Sequence, residues 1–193
     1  MKQGFVKVAA VTPDIRVADV EFNKEQICRK MDEAAASGAK IIVFPELCVT
    51  GYTCSDLFTQ DVLLDHAREV LTEIAAHTRD MDALVFVGAP LAVDGELYNV
   101  AAAMNHGKIL GLTTKTFLPN YGEFYEMRQF REGPEKAREI EFDGEMVPFG
   151  PKILFTAKQM EHLIVAAEIC EDVWSPVPPS IEAVREGATV IVN

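Results

Sequence analysis

The chain has 193 residues, 49% of them hydrophobic and 25% charged, a balance that suits one ordinary globular domain and excludes disordered or collagen-like classes. A formal net charge of -12 and a pI near 4.8 oppose both the phosphate backbone of nucleic acids and anionic membrane surfaces, so neither is expected as a partner. The opening MKQGFVKVAAVTP carries an apolar run too brief for a signal-peptide core, and no uncharged stretch is long enough to span a bilayer, so a cytoplasmic location is expected. The four cysteines, Cys28, Cys48, Cys54 and Cys170, lack metal-ligand spacing, and no metal site or disulfide framework is expected.

In chain order, Phe5 to Val11 reads as a strand. A helix follows with Asn23 as its N-cap, an apolar face of Ile27, Met31, Ala34 and Ala35, and Gly38 as its stop. Ile41 to Phe44 is a short apolar strand ending at Pro45 and Glu46, and LCVTGYTCSDLF after it is a loop. Leu63, Ala67, Val70, Leu71, Ile74 and Ala75 form one stripe of a second helix, and Leu84 to Val87 is the next strand. Tyr98 to Met104 and Ile109 to Thr114, joined through Asn105, His106 and Gly107, read as a hairpin. Lys115 stands at its end.

The segment TFLPNYGEFYEMRQFREGPE has no period and reads as an ordered loop holding one helical turn. Short strands are predicted at Glu139 to Phe142, Met146 to Phe149, Ile153 to Phe155 and Leu163 to Ala167. A helix opened by Pro178 and Pro179 and closed by Gly187 then leads into a strand over Thr189 to Val192. Fully apolar strands imply sheets covered on both faces, and the hairpins exclude a purely parallel sheet, so a layered α/β sandwich is expected. Asn193 falls inside a predicted strand, which reads as a domain incomplete at its C-terminus with an unpaired sheet edge.

Glu46, Lys115 and Cys170 share one peculiarity: each lies at or just past the end of an apolar strand, where side chains face a crevice. Singly, each has an ordinary reading, as a solvated acid, a surface charge and a buried thiol acting as a small hydrophobe. Together they form a working set for acyl transfer. A thiolate is the nucleophile, a nearby ammonium is expected to lower its pKa toward neutrality, and a carboxylate can take the thiol proton and return it to a departing amine.

The strings VFPELCVTGY around Glu46, KTFLPNYGEFYE from Lys115 and EICEDVW around Cys170 resemble the nitrilase superfamily of carbon-nitrogen hydrolases, whose members use Glu, Lys and Cys in this order. Within it, ELCVTGY with a following SDLF, LPNYGEFYEMRQF and CEDVW are most similar to the glutaminase domains of glutamine-dependent NAD+ synthetases. The resemblance spans essentially the whole chain. It implies an αββα four-layer sandwich over residues 1–193 that hydrolyses the glutamine side-chain amide through a thioester on Cys170. It further implies Glu46 as general base and acid, Lys115 as electrostatic stabiliser, and the backbone N–H after Cys170 as an oxyanion donor. Glu123 matches the second acid that orients the set. Tyr121, Phe124 and Glu171 match the glutamine pocket, with Glu171 suited to the α-ammonium group, while Cys48 and Cys54 receive no role.

The ATP-using synthetase domain such proteins carry, with its Mg2+, has no counterpart in this sequence, which lacks a glycine-rich phosphate loop. No cofactor is expected for the glutaminase half. The resemblance implies a homo-oligomer, with the synthetase domain as a partner in the same parent chain. Two other readings stand beside it: a free-standing nitrilase-type amidase or carbamoylase, and a noncatalytic α/β interaction module in which Cys170 is merely packed.

Overall fold

The computed structural model describes residues 4–193. Two sheets stack face to face, and helices cover the outer face of each, giving four layers in the order α, β, β, α. The larger sheet has seven strands: β1 (Val8–Ala10), β2 (Ile41–Val43), β3 (Leu84–Val93), β4 (Glu96–Asn105), β5 (Lys108–Thr114), β6 (Arg138–Phe142) and β7 (Glu145–Gly150), ordered β1-β2-β3-β4-β5-β7-β6. The smaller has β8 (Leu154–Thr156), β9 (Ile164–Ala167) and β10 (Val190–Val192), ordered β10-β9-β8. Helices α1 (Val20–Ala36) and α2 (Asp61–His77) cover the larger sheet, and α3 (Pro179–Arg185) covers the smaller.

The apolar strands are explained by their two-residue period in a sheet buried on both sides. Along β3, Val85 and Val87 enter the core under α1 and α2, while Phe86 faces the other sheet and meets Phe155 of β8 edge to face at 5.5 Å. Along β9, Val165 and Ala167 face the inter-sheet core, while Ile164 and Ala166 face Ala183 of α3 and Ala188 just beyond it. Each strand thus serves two cores.

The direction of the strands sets the site. β1, β2 and β3 are parallel, β3-β4-β5 run antiparallel to one another, and β2 and β5 therefore point the same way. The connections β3 to β4 and β4 to β5 are two-residue turns, Asp94-Gly95 and His106-Gly107, with both residues of each at positive φ, the pairing whose twist matches a right-twisted hairpin, and Asp143-Gly144 joins β6 to β7 in the same way. The first of these was legible as Asp-Gly in the sequence. It extends β3 to ten residues, well past the predicted end at Val87.

Two local expectations are corrected. The first strand is only Val8–Ala10, paired in parallel with the three residues of β2, Ile41–Val43. The cap of α1 is Asp19, whose carboxylate accepts from the N–H of Phe22 at 3.2 Å. Asn23 is instead fully buried in the first turn, where its side chain bonds the N–H and carbonyl of Arg16 and the carbonyl of Val49. No helix among the described residues is long and apolar enough to cross a membrane.

Candidate active site

Glu46 leaves β2 through a tight turn in which Leu47 takes a left-handed φ of 50°. The turn lies directly on β3 because Gly88 has no side chain: a Cβ there would stand 2.4 Å from the Pro45 oxygen and 2.8 Å from the Glu46 Cα. Val49 N–H then bonds the Gly88 carbonyl at 3.1 Å, fixing the return of the chain. Lys115 follows β5 in sequence, and its backbone N–H donates to the Asn99 carbonyl at 2.9 Å. Since β2 and β5 run the same way, their exits lie at the same end of the sheet, and the Lys115 side chain spans the two strands between them to reach Glu46.

The Lys115 side chain is 0% exposed, and its Nζ donates to Glu46 Oε1 at 2.6 Å and to Glu126 Oε1 at 2.7 Å. An ammonium has three donors, and no third protein acceptor is found among the described residues. Burial works against its charge, but the two carboxylates outweigh burial and raise the Lys115 pKa. Glu126 also accepts the Tyr52 hydroxyl at 2.8 Å, while its Oε2 is buried with no partner. Asn99 Nδ2 donates to Glu46 Oε1 at 2.6 Å.

Here the geometry departs from expectation. Glu123, the acid expected to orient the set, is exposed and makes no hydrogen bond to Lys115. Gly122 before it adopts a left-handed φ of 61°, and the chain turns so that Glu126 comes inward. The N–H of Glu126 donates to the Pro119 carbonyl at 3.2 Å as the short 3-10 turn Glu126–Arg128 begins. The sequence pointed to Glu123 through the family resemblance alone, and Glu126, three residues on, was not among the candidates.

Cys170 arrives from the opposite sheet. After β9 the chain enters a 3-10 turn, Cys170–Trp174, with Cys170 itself at a left-handed φ of 45°, a conformation a non-glycine residue holds only when its surroundings impose it. The imposing group is Asp172, fully buried. Its Oδ2 accepts from the Ile169 N–H at 2.9 Å, and its Oδ1 from the N–H groups of Thr116 and Phe117 at 3.0 and 2.7 Å. One carboxylate thus ties the turn of the cysteine to the segment leaving Lys115.

Glu46 and Cys170 line one cavity of about 200 Å³ between the sheets, walled by Phe44, Phe86, Val100 and Ala167. Lys115 is not on its wall. Burial, then the Glu46 carboxylate, pushes the Cys170 thiol up to about 11, with Lys115 pulling the other way. The expected lowering of the thiol pKa is therefore not found, because burial disfavours the thiolate and the carboxylates flanking Lys115 offset the pull of its ammonium. A neutral thiol needs a base at the moment of attack, and Glu46 is in the same cavity to act as one.

Tyr121, Phe124 and Glu171 form one group beside the cysteine. The Tyr121 hydroxyl meets both oxygens of Glu171 at 2.9 Å, and its ring packs edge-on against Phe124 at 6.0 Å. Phe124 in turn stands edge-on to Tyr52 at 6.4 Å. That hydrogen bond to Glu171 raises the Tyr121 pKa, keeping the phenol protonated. Among the described residues no group of three or more His, Cys, Asp or Glu side chains could hold a metal ion. Sequence reasoning missed Asn99, Glu126, Tyr52 and Asp172, of which Asn99, a lone amide within an apolar strand, carried the clearest signal.

Two stacked sheets flanked by helices, with an acid, a lysine and a cysteine brought together from three strand ends, agree with the family match: residues 7–193 match the carbon-nitrogen hydrolase family model, and the chain belongs to that family. It is 38% identical over 191 residues to the glutamine-dependent NAD(+) synthetase of Mycobacterium leprae, a match covering 99% of this chain and 28% of that protein. A crystal structure of a glutamine-dependent NAD(+) synthetase from Cytophaga hutchinsonii superposes with a TM-score of 0.83 at 30% identity, over 96% of this chain and 30% of that one. An amidase from Nesterenkonia sp. shares the fold, with a TM-score of 0.69 at 23% identity over 99% of this chain and 65% of its own. The chain thus spans less than a third of the length of the synthetases it matches.

Proposed function

We propose that this chain is the glutaminase part of a glutamine-dependent NAD+ synthetase, releasing ammonia from the glutamine side chain for amidation of deamido-NAD+. The observation that carries the reading is the buried Glu46–Lys115–Glu126 cluster behind a cavity that Glu46 shares with Cys170. Similarity across the whole chain to synthetases, at 38% identity, supports glutamine as the amide.

In this mechanism Glu46 takes the Sγ proton as the sulfur attacks the carboxamide carbon. The oxyanion that develops accepts from the backbone N–H of Glu171 and is stabilised through space by the charge of Lys115, which lies behind the cavity wall with one N–H left over from Glu46 and Glu126. Glu46 returns the proton to the amide nitrogen, the C–N bond breaks, and ammonia leaves a glutamyl thioester on Cys170. Water, deprotonated by Glu46, attacks the thioester carbon, glutamate departs, and the proton goes back to sulfur. Glu126 holds the lysine. Glu171 and Tyr121 are placed to meet the α-ammonium group, and Phe124 to wall the aliphatic stem. Glu123 is the weaker candidate for the orienting acid, given its exposure.

ATP and Mg2+ belong, in this reading, to the remainder of the longer protein, the synthetase domain that would be this chain's partner, and no step here passes through them. A cytoplasmic location and a homo-oligomeric state complete the proposal. The test is ammonia release from glutamine by the full-length protein. Wild type should be active and Cys170→Ala reduced by at least roughly 10³-fold. Retained activity in Cys170→Ala, or faster turnover of a simple aliphatic amide than of glutamine, would overturn it.

A further inference from the structure

The side chain of Asn99 is built into the cluster in a way the steps above leave unused. It lies on β4 and is 1% exposed. Its Nδ2 donates to Glu46 Oε1 at 2.6 Å, and its backbone carbonyl accepts from the N–H of Lys115 at 2.9 Å. One residue therefore grips both the carboxylate of the acid and the backbone of the lysine. The same Oε1 also receives Lys115 Nζ at 2.6 Å. With two short donors on one carboxylate oxygen, its lone pairs are taken.

The other end of the amide shows what fixes its orientation. Asn99 Oδ1 is buried with no hydrogen-bond partner, an arrangement unfavourable to stability. Turning the amide over would set Oδ1 against Glu46 Oε1, the oxygen that also accepts from Lys115 Nζ, acceptor against acceptor, so the contact with Glu46 dictates the orientation of the amide. A residue serving only the packing of β4 would be apolar here, like its strand neighbours Val100 and Ala101.

We propose that Asn99 is a positioning residue that makes Glu46 a one-oxygen base. By holding Oε1 together with Lys115, it leaves Oε2 as the oxygen that takes the proton from Cys170 Sγ and hands it to the departing nitrogen. The inference rests on the amide-hydrolysis reading above. Only the proton moves, from sulfur to Oε2 to nitrogen, and Asn99 neither gains nor loses one.

The test uses the full-length protein and two variants: Asn99→Asp, nearly isosteric, which replaces the donor by a like charge, and Asn99→Leu, which removes the amide without adding charge. A carboxylate that loses a donor takes its proton at higher pH. The acidic limb of kcat/KM for ammonia release should thus move up by about one pH unit in Asn99→Leu and further in Asn99→Asp, with kcat at pH 7 down at least about 10-fold and KM changed less than about threefold. If Asn99→Asp does not fold, Asn99→Leu decides. A profile that loses height while its limbs stay in place overturns the proposal, since a structural role would do only that. Alkylation of Cys170 by chloroacetamide needs no glutamine, and its rate at pH 7, where Glu46 must take the thiol proton, should fall at least about 10-fold in Asn99→Leu, which adds no charge. If wild type releases no ammonia from glutamine but this rate still falls, the glutamine reading fails and the positioning role stands. If wild type is active and neither the pH limb nor the alkylation rate moves, the glutamine reading stands and the positioning role fails.

Discussion

The thiol of Cys170 is pushed up first by burial and then by the Glu46 carboxylate, with the Lys115 ammonium pulling the other way. The resulting pKa of about 11 means that the free protein holds a protonated cysteine at neutral pH, so chloroacetamide should alkylate it with an inflection near 11. Glu46→Gln removes the nearest negative charge and leaves Lys115 facing Glu126 alone. The inflection should then fall by about one unit, measured by mass spectrometry across pH; an unchanged inflection would mean that Glu46 is not the neighbour that governs the thiol. A second pair of substitutions separates the two acids of the NYGEFYE segment. Glu126→Gln should cut ammonia release about 100-fold by loosening Lys115, whereas Glu123→Gln, on an exposed side chain, should stay within about threefold of wild type. Equal losses would restore Glu123 to the orienting role.

At the scale of elements, the site depends on two joints between chain segments that are far apart in sequence. One is the seat of the Glu46 turn on Gly88, where backbone meets backbone with no room for a methyl group. The other is Asp172, which staples the cysteine turn to Thr116 and Phe117. Burial, opposed by three N–H donors, pushes the Asp172 carboxyl up to about 6, above its unfolded value. A raised folded pKa means the folded state binds the proton more tightly, so the contribution of this group is fully present below the unfolded value and is lost as pH rises through about 6. The stability of wild type relative to Asp172→Asn should accordingly fall by about 1 kcal/mol between pH 5 and pH 7. Denaturant unfolding at the two pH values measures this, and a difference that grows with pH would contradict it.

Across the whole molecule, charge and apolar surface act against each other. A net charge of -12 makes copies of the chain repel. Yet Trp174, 78% exposed, stands with Val177, Ile181 and Val184 on and before α3, outside the smaller sheet. If this surface mediates the proposed homo-oligomer, association in sedimentation velocity should strengthen as added salt screens the repulsion, and Ile181→Lys should weaken it at every salt concentration. Association that ignores Ile181→Lys would place the interface elsewhere.

What the sequence determined by itself was whatever follows from local pattern. The apolar runs announced strands buried on both faces, the stripe from Leu63 to Ala75 announced α2, His106-Gly107 announced a hairpin, and three chemically matched residues at strand ends marked the site. Those signals need only neighbours within a turn or a pleat to carry their meaning. Tertiary structure alone decided which of two nearby acids turned inward, which residue capped α1, and the sense in which the thiol pKa moves. Each of these depends on groups brought together from distant parts of the chain: Tyr52 donating to Glu126, Val49 accepting from Asn23, and the burial of Cys170 beside the Glu46 carboxylate. Burial and electrostatic balance are sums over such neighbours, and no local pattern contains them.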